Sequence, residues 1–194
     1  MVKVLHIVSS LGGGGVESLL YNYYSHLDRK HIHFDFVVHG DNIGILEDKF
    51  ESMGSEIFHV TPKKVSLKKN ILEISDIIKK GGYDIVHCHQ NFSSFTSLFL
   101  AKMHHVPIRI SHAHGCKEAK NTREKVRVSF FRFLNRLFAN YFFSCSIGAG
   151  QWVHGKNWLP GRKNIIMSNA IDTTLFSFDI QIRNRYRKAL GIEN

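Results

Sequence analysis

The chain has 194 residues, 43% of them hydrophobic and 22% charged, which suits one soluble globular domain with a sizeable core. Lys plus Arg number 26 against 16 Asp plus Glu, a formal charge of +10, so the surface attracts anions such as nucleotides, phosphates or an acidic membrane face. Three dispersed cysteines, Cys88, Cys116 and Cys145, argue against a disulfide framework or zinc knuckle and fit a reducing compartment, and no apolar run reaches membrane-spanning length.

In chain order, short β-branched runs alternate with helical segments. Val2–Val8 reads as a first strand rather than a signal peptide. A glycine loop leads to a helix over Val16–Leu27, then a strand over His33–His39. Ile43–Met53 reads as helix, and Ser55–Val60 as a strand ended by Pro62. Leu67–Lys80 carries apolar residues at Leu67, Ile71, Ile74, Ile77 and Ile78, a helical period stopped by Gly81-Gly82. Asp84–His89 is a strand, Ser93–His104 a helix and Pro107–Ala113 a strand. Arg123–Asn140 is helical, Tyr141–Ser146 and Ile165–Ser168 are strands, and Gln181–Leu190 is a basic helix. The pattern predicts an α/β, Rossmann-like three-layer domain with a parallel sheet of about seven strands. The basic helix ends near Asn194 with nothing to pack on, so the natural protein is expected to continue.

Ligands of open parallel sheets bind beyond the carboxyl ends of the strands. That rule selects the loops after Val8, Val38, His87, Ile110 and Cys145. The first loop, Ser9-Ser-Leu-Gly-Gly-Gly-Gly-Val-Glu17, places four glycines before a helix, which suits close approach to a phosphate. A ligand-free tight turn is the alternative reading. The loop matches neither G-x-G-x-x-G nor a P-loop, and the second strand ends His39-Gly40-Asp41 without the acid of the dinucleotide fingerprint at its tip, which argues against NAD and ATP.

Two H-x-H pairs, His87-Cys-His89 and His112-Ala-His114, end successive strands. Residues two apart face the same way, so each pair is expected to address one crevice. The pairs suit proton steering or a sugar hydroxyl. A metal cluster is disfavoured for want of an arranged carboxylate or thiolate. The alternative is that two of the four histidines are packed core residues bonded to backbone, and at least one is expected to be purely structural. His114, followed by Gly115 and the polar run Cys116–Arg123, is the leading candidate for chemistry, on a loop carried by a rigid scaffold. The helix over Arg123–Tyr141 groups Phe130, Leu134, Leu137, Phe138 and Tyr141 on one face beside several arginines. It reads either as a sheet-covering helix with snorkelling arginines or as a surface that docks on anionic lipid. Helix-turn-helix, zinc-finger and RNP patterns do not occur, so no nucleic-acid partner is expected.

Several segments then match one family pattern in order. They are the glycine loop with Val16-Glu17, Tyr83-Asp-Ile-Val-His-Cys-His89, Val106-Pro-Ile-Arg-Ile-Ser-His-Ala-His-Gly115 and Phe143-Ser-Cys-Ser146. Ile166-Met-Ser-Asn-Ala-Ile-Asp172, Phe176 and Arg187-x-x-Leu-Gly-Ile192 complete the set. Across essentially the whole chain this resembles the N-terminal domain of the GT-B retaining glycosyltransferases of family 4, which build capsules, exopolysaccharides and lipid-linked sugars. Ala170 departs from the family's glycine in N-G-[IV]-D.

The resemblance implies a hexosyltransferase that moves a sugar from a nucleotide-sugar donor to a lipid- or polysaccharide-linked acceptor. It implies no metal or other cofactor, and a cytoplasmic protein, peripheral on the inner face of the cell membrane. Gly14 and Gly15 would approach the donor diphosphate, and Glu17, His89 and Gln90 would line the acceptor side. His114 would bond the reacting sugar as the catalytic residue. Asn169 and Asp172 would shape the turn toward the interdomain cleft. Residues 1–176 would form the acceptor-side domain and 177–194 the connection to a C-terminal donor-binding domain, which would carry the family's E-x7-E pair. The fragment alone would then be inactive. The competing readings are a non-catalytic Rossmann-like binding module for a phosphorylated ligand or membrane-surface partner, and a nucleotide-sugar epimerase or dehydrogenase, which the failed glycine fingerprint disfavours.

Overall fold

The computed structural model describes residues 1–116 and 121–192; the backbone alone is described at 175. Seven strands form one parallel sheet: β1 (Val2–Ile7), β2 (Ile32–His39), β3 (Ile57–Val60), β4 (Ile85–Cys88), β5 (Ile108–Ala113), β6 (Tyr141–Ser144) and β7 (Asn164–Ile166). Their order is β3-β2-β1-β4-β5-β6-β7. The chain winds outward from β1 to β3, then returns to β4 and winds the other way, so β1 and β4 flank the topological switch point.

The helices are α1 (Gly15–His26), α2 (Glu47–Ser52), α3 (Leu67–Gly81), α4 (Phe95–Met103), α5 (Thr122–Phe138), α6 (Ile147–His154) and α7 (Ile180–Ala189). Both faces of the sheet are covered. On one, Leu5, Ile7, Val37 and Val86 pack with Ile74 and Ile78 of α3 and Leu98 of α4. On the other, Val4, Val8 and Phe36 pack with Leu19, Leu20 and Tyr24 of α1 and Phe50 of α2. Alternate residues of each strand feed opposite cores, as the pleat requires. The Ser66 side chain accepts from Lys69 N to cap α3, and Gly82 ends it at φ 62°, a left-handed turn that favours glycine.

Two expectations change. The helix expected over Ile43–Met53 is only α2. Leu46 N donates to Leu11 O at 3.1 Å, and Gly44 lies so close to Leu11 that a Cβ would clash with its backbone. That anchor holds the preceding residues as a loop. The strand expected over Tyr141–Ser146 ends at Ser144. Ser146 instead caps α6, a helix whose Gly148 and Gly150 hid it from propensity. Helix α5 packs through Val128 and Asn135, while Phe130 and Leu137, on the face left open between packing and lipid docking, are exposed. Among the described residues no helix is long and apolar enough to cross a membrane. Residues 117–120 of the polar run Cys116–Arg123 fall outside the described residues.

Candidate functional site

The carboxyl ends of β1 to β4 surround a cavity of about 480 Å³ lined by Ser9, His39, Pro62, Lys63, His89 and Gln90, among others. His89 and Gln90 thus line a cavity at the strand ends. Lys63 was not anticipated. Its Nζ donates to Gln90 Oε1 at 3.2 Å, to Ser93 O at 2.9 Å and to Thr96 Oγ1 at 2.9 Å. Burial lowers its pKa from the usual lysine value. The only sequence signal for it was its place just past a strand end. His39 forms part of the same wall. Asn70 Nδ2 donates to its Nδ1 at 3.1 Å, so His39 holds its proton on Nε2.

Beside the cavity, five histidines form a stack on one face of the sheet: His6 of β1, His87 on β4 and His89 just past it, and His112 on β5 with His114 just past it. The register sets His6 beside His87, and the H-x-H spacing puts His89 and His114 one pleat further along. Diagonal bonds link the rings: His6 Nδ1 to His89 Nε2 at 3.0 Å, His89 Nδ1 to His114 Nε2 at 2.8 Å, and His87 Nε2 to His112 Nδ1 at 3.0 Å. Burial drives the pKa of His114 down to about 4, of His6 to about 3 and of His112 to about 2. His87 and His89 fall well below the usual range for the same reason, reinforced by their neighbouring rings. The stack is therefore neutral at pH 7. His87 and His112 are core residues, so at least one histidine is structural as expected, and among the described residues they bond to each other.

The network assigns the tautomers. His6 Nε2 is buried with no partner among the described residues. A bare ring nitrogen there costs less than a bare N–H. The His6 proton is then on Nδ1 and donates to His89, whose own Nδ1–H donates to His114 Nε2. His114 is left with its proton on Nδ1, as a neutral donor. One nitrogen each of His6, His87 and His89, and of His89, His112 and His114, lie within 4.8 Å of one another, a spacing that fits a metal ion; both nitrogens of His89 are taken up by its histidine neighbours.

Backbone placement of His114 comes from residues that sequence reasoning missed. Asn91 adopts φ 48°, and its Oδ1 accepts from His114 N at 3.1 Å. Asn135 of α5 holds Asn91 in turn, donating from Nδ2 to Asn91 O at 3.1 Å. At the glycine loop, Gly14 is the N-cap of α1 and provides no side-chain cap, and a Cβ on Gly15 would meet open space. The Glu17 carboxylate lies against this end of the helix, its Oε2 2.7 Å from where a Cβ on Gly14 would sit. Glu17 sits in that first turn, with Ser10 Oγ 3.5 Å from its Oε1. Asp172 caps a short 3₁₀ turn, accepting from Thr174 N at 3.0 Å and Oγ1 at 2.6 Å. Asn169 is exposed beside Ala170, whose carbonyl accepts from Asn22 of α1 at 2.8 Å. The structure brings together His89, Gln90 and His114; Asn169 and Asp172 lie on the segment that runs past α1.

The model of Glycosyltransferase Family 4 matches residues 13–175. EpsF of Bacillus subtilis (strain 168), which carries a glycosyltransferase designation, is 26% identical over 194 residues, covering 98% of this chain and 50% of EpsF. The capsular polysaccharide biosynthesis glycosyltransferase CapH of Staphylococcus aureus is 32% identical over 127 residues, 66% of this chain and 35% of CapH. The chain thus spans half or less of the curated relatives it matches. In fold it is similar to Anabaena Alr3699/HepE, solved in complex with UDP and glucose, with a TM-score of 0.69 at 16% identity, covering 100% of this chain and 51% of HepE.

Proposed function

The chain belongs to Glycosyltransferase Family 4, and on that premise we propose that it forms the acceptor side of an enzyme of exopolysaccharide or capsule biosynthesis. On this reading a sugar passes from a nucleotide-sugar donor, with retention, to a lipid- or polysaccharide-linked acceptor. The observation that carries the reading is the 2.8 Å bond from His89 to His114 at the strand tips, beside the cavity that holds Lys63. It leaves His114 as a neutral N–H donor for a hydroxyl of the reacting sugar. Such a donor, fixed before the reaction, stabilises charge in the transition state without reorganising. The N–H groups at Gly14 and Gly15 would face the donor diphosphate, and Glu17, His89 and Gln90 the acceptor, with Lys63 as the cation for an acceptor phosphate. The step uses hydrogen-bond donors and no metal. Residues 1–176 act as the acceptor-side domain, residues 177–194 start the connection to the donor-binding domain, and Asn169 and Asp172 shape the turn between them. The fragment alone is then inactive. HepE, whose structure holds UDP and glucose, supports the choice of donor class.

Helix α5 supports a membrane-borne acceptor, with the enzyme peripheral on the inner, cytoplasmic face of the membrane. Val126, Phe130, Phe133 and Leu137 are all exposed, Phe133 by 61%. At 100° per residue they span an arc of about 60°. Arg123 and Arg127 flank this stripe on one side, Lys125 and Arg136 on the other. An exposed apolar stripe between cations suits an anionic lipid surface, with the rings in the acyl boundary and the cations at the headgroups.

The test incubates the full-length protein with radiolabelled nucleotide-sugars and a membrane fraction. Label in lipid-linked or polymeric product is expected. Binding of phosphorylated ligand with no transfer to any acceptor would favour the binding-module reading.

A further inference from the structure

A second basic cavity lies at the amino ends of the strands, the other end of the sheet from His114. It holds about 490 Å³ between the carboxyl ends of α5 and α6, against the amino-terminal parts of β6 and β7. Arg132, Arg136 and Lys156 line it, over a floor that includes Phe142 and Trp158. Gly155 brings the two arginines together. A Cβ built on it would sit 3.5 Å from Arg132 Cδ and 4.0 Å from Arg136 Nη1, and its φ of +124° is one that glycine tolerates. Arg132 donates from Nη2 to Trp152 O at 2.8 Å. Its pKa is lowered by burial and by the nearby charge of Arg136.

Two like charges held together favour an anion, and none is supplied by the described residues. Among the described residues no carboxylate forms an ion pair with Arg132, Arg136 or Lys156. The donors are also underused. Arg132 Nε and the indole Nε1 of Trp158 are buried without a partner, and Trp158 is only 5% exposed. A buried N–H left without an acceptor costs about 1–3 kcal/mol. The cavity thus combines three cations with an aromatic floor, and two of its lining residues, Arg132 and Trp158, each carry a buried N–H without a partner among the described residues.

We propose that this cavity is a binding site for a phosphate group, separate from the site of sugar transfer. Donors that approach from several side chains suit a tetrahedral oxyanion carrying two negative charges, and arginine forks match phosphate oxygens. The volume exceeds that of a bare phosphate, so there is room for the group that bears it. The phosphate is either that of a free phosphorylated molecule or that of a lipid headgroup delivered along α5. The proposal does not rest on the transferase reading.

The protein has two tryptophans, Trp152 and Trp158, so indole labelling with ¹⁵N reports the site directly. In the first arm, inorganic phosphate is titrated at low salt. A saturable shift of the Trp158 N–H signal is expected, reversed by added salt. In the second arm, the same signal and co-sedimentation are followed with phosphatidylcholine vesicles containing phosphatidic acid. A response to phosphate itself identifies a free-phosphate site, and a response only to the acidic vesicles identifies a headgroup site. The double variant Arg136→Gln/Lys156→Gln is expected to weaken either response about tenfold or more. Arg136→Lys/Lys156→Arg is expected to keep most of it. Both pairs lie on the surface, and circular dichroism checks the fold. A Trp158 signal unmoved in both arms, or moved equally in the glutamine variant, overturns the proposal. Phe130→Ser/Phe133→Ser separates the two ideas: lost vesicle binding with an intact phosphate response leaves the cavity standing.

Discussion

Asn91 shows how much one residue settles at this site. It ties the His114 backbone to α5, through Oδ1 to His114 N and through its carbonyl to Asn135. It does so from φ 48°, where a side chain other than Asn, Asp or Gly is strained. Asn91→Ala is therefore expected to cost about 2 kcal/mol, from the backbone strain and the lost hydrogen bond together. Asn91→Gly removes only the bond and is expected to cost about half as much. Urea denaturation of the two variants checks the ranking. Lys63 gives a second residue-scale expectation. Lys63→Met removes the cation from the cavity, so acceptor KM is expected to rise about tenfold while donor KM stays unchanged, as read by steady-state transfer kinetics. The H-x-H pairs were legible because a period of two fixes side-chain direction. His6 carried the same signal on β1, two residues from Val4 and Val8, but a single histidine in an apolar strand reads as core. Asn91 and Lys63 were not legible, because neither residue type nor spacing announces a positive φ or a contact made 27 residues away.

At the scale of elements, α5 divides its surface between two tasks. Val128 and Asn135 pack inward, and Val126, Phe130, Phe133 and Leu137 face outward. The amphipathic period was visible in the sequence, but the choice of inward face was not. Apolar residues ring much of this helix, and burial went to a polar one, Asn135, because Asn91 and Phe92 offer it carbonyl partners. The Phe130→Ser/Phe133→Ser variant is expected to lose most binding to anionic vesicles in co-sedimentation while keeping its helix content. Helix α6 escaped notice because its glycines lower propensity. In the folded chain Trp158 lies against Gly150 where any side chain would collide, so packing decides the outcome.

For the whole molecule, a parallel sheet of about seven strands covered on both faces followed from alternation of β-branched runs and helices, but its strand order did not; the switch-point rule pointed to five strand-end loops, and the cavity lies at three of them, beside β1, β2 and β4. The cost of this architecture is a set of histidines buried neutral. Beyond His6, His112 and His114, burial also lowers His39 and His154 to about 4. The unfolded chain takes up protons at these groups near pH 6.5, and the folded chain does not until about pH 4 or lower. Stability is thus full above pH 6.5 and is lost as the pH falls below it, by up to about 1.4 kcal/mol per group per pH unit. The denaturation midpoint in urea is expected to drop sharply between pH 7.5 and pH 5.5.

The account turns on His114 as the donor to the reacting sugar, and turnover of the full-length His114→Ala protein tests that most directly. A fall in kcat of about 100-fold or more, with the denaturation midpoint unchanged, is the predicted result. Turnover equal to that of the unaltered protein would contradict it and would remove the histidine stack from the chemistry.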